Sequence, residues 1–354
     1  MPITVVTHPR FADHDTGDHP ECAERWRRAD ARLRSLAAGP GLPLAFVEPA
    51  PITPEDLALV HPAAHGERIQ AFCAQGGGRI DEDTVACPAT YEIALLSAGG
   101  AIEGVRRVLE TPDPRALVIS RPPGHHALAD QTMGFCYFAN AALAARWAQR
   151  HHGLARVLVV DWDLHHGNGT EAIFWEDPSV LFLSTHQHPN WPGTGAAGDV
   201  GGGAGRGYVA NVPLPVGTGD EGHLRAFEQV FRPLVEAFRP ELVLVSAGYD
   251  AHWRDPLGQQ GLTVSGFAAL TREVLGWAER HAQGRIVLLM EGGYDLDALA
   301  HGLAASVQVL REAPVDDPIG PSPRQEDAAA VGAAIAATRD ALRGTPLAEA
   351  FSPR

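Results

Sequence analysis

The chain has 354 residues, 45% of them hydrophobic and 20% charged. That is ample for a sizeable core and excludes a disordered chain. The formal net charge is −15, which repels phosphate backbones and argues against nucleic acid as a ligand. All 28 basic residues are Arg, so Schiff-base chemistry and the P-loop lysine are excluded, whereas 17 His supply neutral-pH acid/base groups and metal ligands.

In chain order, short β-branched runs bounded by turn residues predict strands at Ile3–Val6, Ala116–Ser120, Arg156–Val160, Val180–Ser184, Glu241–Ser246 and Arg285–Met290. Each run is continuously apolar, as expected of strands buried on both faces of a parallel sheet. Between them, helical patterns cover Cys22–Ala38, Ala64–Ala74, Thr90–Glu110, Phe138–His151, Glu221–Phe238, Ser265–His281 and Leu296–Arg311. This alternation predicts a doubly wound α/β domain over residues 1–312. Residues 313–354 read as a Pro- and Asp-rich strap and an alanine-rich helix from about Ala328 to Leu342, packed on that domain or partly mobile. Cys22, Cys73, Cys87 and Cys136 form no C-x-x-C pair and read as reduced, small hydrophobes. No secretory n-region and no run of about 18 apolar residues is visible, so a cytoplasmic chain with no membrane partner is expected. Self-association into a homo-oligomer is left open.

In open α/β sheets, ligands bind at the carboxyl ends of strands. Five predicted strands run directly into unusual polar residues: Arg121-Pro-Pro-Gly-His125-His126; Asp161-Trp-Asp163-Leu-His165-His166-Gly-Asn168; Thr185-His186-Gln-His188; Tyr249-Asp250-Ala-His252; and Glu291-Gly292-Gly293-Tyr294. On an extended chain Asp161, Asp163 and His165 share one face and His166 points away. An Asp and a His two apart supply two ligands of a catalytic zinc site, which needs a third and an open position. Asp250 is the best candidate for the third, although an Asp after a strand is usually a helix cap. His125 and His126 on a stiff turn suit a general base and a charge stabiliser, with Asp161 and Asn168 as ring partners. Tyr294 after two glycines can donate to an oxyanion. Gly134-Phe135 before a helix suits either a channel wall or the core. His151-His152 before Gly153 reads as a structural helix end.

Pro-Pro-Gly-His-His, Gly-Phe-Cys, Asp-Trp-Asp-Leu-His-His-Gly-Asn-Gly-Thr, Ser-Ala-Gly-Tyr-Asp-Ala-His, Asp-Pro-Leu-Gly and Glu-Gly-Gly-Tyr together resemble the zinc-dependent histone deacetylase superfamily. They are most similar to its class II branch and to bacterial histone deacetylase-like and acetylpolyamine amidohydrolases. The likeness runs from about His19 to about Leu310. It implies an arginase-like α/β fold with an eight-stranded parallel sheet and helices on both faces. It also implies one Zn2+ on Asp163, His165 and Asp250, a dyad of His125 (with Asp161) and His126 (with Asn168), and Tyr294 as the carbonyl-polarising phenol. Gly134, Phe135, Trp191, Leu257, Gly292 and Gly293 would line the substrate channel. Structural K+ would lie at Asp161, Asp163, His165, Ser184 and Thr185, and at Phe174, Asp177, Val180 and Tyr208. Gly167 and His252 stand where a two-manganese arginase site needs aspartates. The implied partner is an acylated lysine of a peptide or protein, or a small acylated amine. A catalytically weak acyl-binding module is the competing class, and the intact ligands, dyad and Tyr294 favour the enzyme. An acetylpolyamine substrate is the alternative within the enzyme reading. Leu257, two after Asp255, supplies no charge for a second ammonium, whereas the rim acids Asp81, Glu82 and Asp83 would.

Overall fold

Continuous apolar runs become strands buried on both faces. The computed structural model describes residues 2–39 and 43–347. Its strands are β1 (Ile3–Val6), β2 (Leu44–Val47), β3 (Gly78–Arg79), β4 (Val85–Ala86), β5 (Arg115–Val118), β6 (Val157–Asp161), β7 (Val180–Gln187), β8 (Val209–Leu214), β9 (Leu242–Ala247) and β10 (Ile286–Met290). Eight of them form one sheet in the order β2-β1-β5-β10-β9-β6-β7-β8, with β3 and β4 pairing as a separate antiparallel hairpin. Every neighbouring pair in the large sheet is parallel.

The helices are α1 (Ala23–Ala38), α2 (Pro54–Leu57), α3 (Ala63–Ala74), α4 (Thr90–Glu110), α5 (Asn140–His152), α6 (Asn168–Phe174), α7 (Asp220–Ala226), α8 (Arg232–Phe238), α9 (Val264–His281), α10 (Leu296–Leu310) and α11 (Ala328–Ala341). Along β6, Leu158 and Val160 pack into one apolar layer with α1 and α7 to α11, while Val157 and Val159 pack into the other with α3 to α6. The strand therefore has no solvent face and no alternation. Among the described residues no helix is long and apolar enough to cross a membrane.

The main sheet and one long helix depart from the sequence expectation. β2 and β8 were not predicted; they are the two sheet edges. All of β2 is half-buried, and β8 carries Asn211 and Pro213, so neither reads as a central strand. The helix expected over Glu221–Phe238 is broken by a π-turn at Phe227–Phe231. Pro233 follows that turn and has no N–H to donate, which makes a regular α-helical ladder impossible there.

The strap and α11 cover the β8 edge. Glu326 accepts the backbone N–H groups of Gly219 at 2.8 Å and Gly222 at 2.9 Å. Thr338 Oγ1 donates to the Asn211 carbonyl at 2.6 Å, and Val331, Ile335 and Leu342 are buried in the adjoining layer. Residues 348–354 of the expected C-terminal segment, Met1 and residues 40–42 lie outside the described residues.

Candidate active site

The five strands whose ends carry the polar motifs are contiguous in the sheet: β5, β10, β9, β6 and β7. All are parallel, so their carboxyl ends open on one edge, and residues far apart in sequence meet there.

Asp163, His165 and Asp250 each bring one ligating atom within 4.8 Å of the other two. His165 Nδ1 lies 3.1 Å from Asp250 Oδ2 and 3.4 Å from Asp163 Oδ1. Neither aspartate caps a helix. Asp250 Oδ1 accepts the Leu164 N–H at 2.8 Å, Asp163 Oδ2 accepts the Gly292 N–H at 2.8 Å, and α6 is capped by Gly167 without a side-chain bond. Burial and the neighbouring Asp163 push the Asp250 carboxyl up to about 6. Two buried carboxylates and one imidazole are a donor set for a single divalent ion, and His165 faces a pocket, which leaves one side open. His166 points away, to Thr194 at 2.8 Å and Glu171 at 3.1 Å.

The two dyad rings lie with centroids 3.8 Å apart and planes tilted by 40°, but have different partners. His125 Nδ1 lies 3.0 Å from Asp161 Oδ2, and His126 Nδ1 lies 2.8 Å from Asn168 Oδ1. Burial opposes charge on His125, but the Asp163 and Asp161 carboxylates outweigh it and push its pKa up to about 10. Burial, then the neighbouring His125 and His165, hold His126 well below the ordinary histidine value. One ring is therefore kept cationic and the other neutral. The turn that carries them is clamped by Glu291, which accepts the Gly124 N–H at 2.7 Å and bonds Ser246 at 3.1 Å.

Tyr294 faces the same pocket. Its ring meets Phe135 edge-on at 5.9 Å, and the Arg25 guanidinium lies 4.9 Å from its centroid. Burial lifts the phenol pKa well above the ordinary value. Arg25 is itself buried, bound to the Gly293 carbonyl at 2.7 Å and to Glu21 at 3.1 Å.

The pocket is about 240 Å³ and is lined by Asp83, His126, Gly134, Phe135, His165, Asn190, Trp191, Leu257 and Tyr294. Trp191 and Leu257 are 40% and 37% exposed, so they form the mouth rather than the floor. Gly134 has φ +57, and a Cβ there would collide with Trp191 and His126, so no other residue fits. Two expected lining residues are elsewhere. A Cβ at Gly292 would strike the Asp250 and Asp163 carboxylates, so this glycine lets the chain pass close behind the cluster, whereas one at Gly293 would meet Leu299 and Tyr249. Asp83, one of the rim acids expected from the sequence, is delivered to the pocket by the β3–β4 hairpin, and Asn190 lines it without a clear sequence signal. His151 and His152 sit in the last turn of α5 against Asp56 and Glu110, remote from the pocket. Among the expected potassium ligands, Asp161 and Ser184 are paired across β6 and β7, next to Thr185. Phe174, Asp177, Val180 and Tyr208 gather where β7 begins beside β8, and the Asp177 carboxylate is occupied by Arg146 and Ser179.

Comparison with known proteins agrees with this geometry. The histone deacetylase domain family matches residues 19–310. A histone deacetylase-like amidohydrolase of Pseudomonas aeruginosa is 45% identical over 279 residues, covering 78% of this chain and 72% of the relative. A probable deacetylase of Archaeoglobus fulgidus is 39% identical over 298 residues, covering 84% and 82%. The crystal structure of the HDA15 HD domain superposes with a TM-score of 0.88 at 32% identity, covering 99% of this chain and 97% of that one. By sequence, by fold and by the residues gathered at the strand ends, the chain belongs to the histone deacetylase family.

Proposed function

We propose that this chain is a zinc-dependent amidohydrolase that removes acetyl or other short acyl groups from acyl-lysine side chains. The observation that carries the reading is the Asp163–His165–Asp250 cluster, open to a pocket that also presents His126 and Tyr294. A zinc ion held there would supply Lewis-acid polarisation of the amide carbonyl and a water of lowered pKa. The remaining work falls to the chain's own residues. Asn168 Oδ1 takes the Nδ1–H of His126, which assigns the lone pair to Nε2; that atom accepts the proton of the attacking water. His125, held cationic between Asp161 and Asp163, stabilises the growing negative charge, and the imidazolium formed on its neighbour protonates the leaving amine. Tyr294, kept protonated by burial, donates a hydrogen bond to the carbonyl oxygen as charge develops on it. Phe135 and Trp191 wall the aliphatic stem and exclude water. The products are a short carboxylic acid and a free amine.

The test is turnover of acetyl-lysine peptides against N-acetylputrescine, with and without a chelator. Absence of hydrolysis, or chelator-insensitive hydrolysis, would overturn the reading. One observation favours an acetylpolyamine instead: the pocket lining includes a carboxylate, Asp83, suited to a second ammonium.

Potassium is proposed at both expected positions. Supporting the first, Thr185 Oγ1 is buried with no hydrogen-bond partner among the described residues. At the second, the engaged Asp177 carboxylate leaves backbone carbonyls as the donors. Thermal stability in KCl against choline chloride tests both.

A further inference from the structure

Asp255 has no part in the chemistry above, yet the residue is only 3% exposed and its carboxylate is fully engaged. Oδ2 accepts the backbone N–H groups of Tyr294 at 2.7 Å and Asp295 at 3.1 Å, while Oδ1 accepts the N–H of Leu257 at 2.9 Å. One carboxylate thus ties the segment carrying the phenol to the segment carrying the apolar lip of the pocket. Asp295 adds a second tie, pairing with Arg254 at 3.1 Å and capping α10 through the Ala298 N–H at 2.9 Å.

Such an anchor is needed at this position. Tyr294 follows two glycines, and Gly293 has φ +128, a conformation that a side chain would not hold in place. Ring contacts with Phe135 and Arg25 orient the phenol, but the backbone beneath it can swing on that glycine pair unless its first following N–H groups are held. An oxyanion donor acts only when placed on the charge that develops, and a misplacement of about 1 Å costs roughly a hundredfold in rate.

We propose that Asp255 is a positioning residue: it fixes the backbone of Tyr294 so that the phenol reaches the carbonyl oxygen in the transition state, and it holds Leu257 opposite. This rests on the amidohydrolase reading above. Replacing the carboxylate by Asp255→Asn turns one acceptor into a donor that faces backbone N–H groups, without emptying the site.

The experiment compares Asp255→Asn, Tyr294→Phe and the double variant on acetyl-lysine and trifluoroacetyl-lysine peptides, with zinc content measured for each. The trifluoroacetyl carbonyl is more electrophilic and depends less on the phenol. The expected result for Asp255→Asn is a fall in kcat of about 100-fold on the acetyl peptide. KM stays within about threefold, the loss is much smaller on the trifluoroacetyl peptide, and zinc stays stoichiometric. In the Tyr294→Phe background the same change costs little. Equal losses on both substrates, or a full loss added to that of Tyr294→Phe, would overturn the proposal. So would an Asp255→Asn protein that does not fold, because a positioning role leaves the fold intact. Failure of the unaltered enzyme on every acyl substrate would instead count against the amidohydrolase reading.

Discussion

His126 directs its Nδ1 to Asn168 Oδ1 at 2.8 Å, whereas the adjacent ring of His125 is bound by a carboxylate. The neutral acceptor keeps the Nδ1–H in place without stabilising a cation, so Nε2 stays free to take a proton. His126→Ala is expected to lower kcat by about 100-fold or more without loss of fold. Asn168→Leu, which leaves the ring but frees its orientation, is expected to lower kcat by about 10–100-fold. Steady-state kinetics with circular dichroism checks both. Activity of His126→Ala within tenfold of the unaltered enzyme would remove it as the base.

Metal content follows from the cluster. Asp163→Ala and His165→Ala are each expected to abolish stoichiometric zinc, because three protein ligands leave none to spare. Elemental analysis of the purified variants is the check. Chelation of the unaltered protein is expected to lower Tm, since an ion bound only to the folded state stabilises it.

Leu257 and Asp83 line one pocket, so a change of charge at its mouth tests substrate preference. Leu257→Glu is expected to raise kcat/KM for N-acetylputrescine relative to an acetyl-lysine peptide. At 37% exposure the new charge acts through a largely aqueous dielectric, so the gain is about 1 kcal/mol, or roughly fivefold. Asp83→Asn is expected to move the ratio the other way. No change in the ratio for either variant would show that the lip does not read the amine.

Buried neutral histidines are expected to lower acid stability. His61 presents Nδ1 to the Ala129 carbonyl at 2.8 Å and accepts the Ala139 N–H on Nε2 at 2.9 Å, a pattern that only the neutral ring satisfies. Burial lowers its pKa to about 4, and burial does the same for His252. The folded pKa lies below the unfolded value of about 6.5, so the unfolded state binds more protons between them. Stability is therefore complete above about pH 6.5 and is lost as pH falls toward about 4. At 1.36 kcal/mol per pH unit, the interval for His61 corresponds to about 3 kcal/mol. Tm measured from pH 7.5 to 4.5 is expected to fall, with a shallower slope in His61→Gln.

A buried ion network underlies Tyr294. Glu21 binds Arg121 at 2.7 Å and Arg25 at 3.1 Å, and all three are buried. Glu21→Ala leaves two guanidinium groups without a counter-charge, and a loss of about 3–5 kcal/mol is expected. Urea unfolding measures it. A loss below about 1 kcal/mol would mean that solvent reaches the arginines.

The local residues of the sequence determined much of this. Continuous apolar runs marked the six interior strands, because a strand covered on both faces has no polar side to show. Asp163 and His165 were legible as a pair because strand periodicity puts residues two apart on one face. Gly134-Phe135 was legible only as channel wall or core, and the close approach of Trp191 and His126 to Gly134 was not. Tertiary structure decided the rest. The edge strands β2 and β8 were hidden because β2 is only half-buried and β8, although covered by the strap and α11, carries Asn211 and Pro213. Asp250 could not be told from a helix cap until β9 was seated beside β6, which brings its carboxylate to His165. Asp83 reaches the pocket only through the β3–β4 hairpin, and Asp255 holds Tyr294 across 39 residues of chain. Periodicity is a property of neighbours along the chain; which strand ends stand side by side depends on the order of strands in the sheet, and that order is set by packing both apolar faces at once.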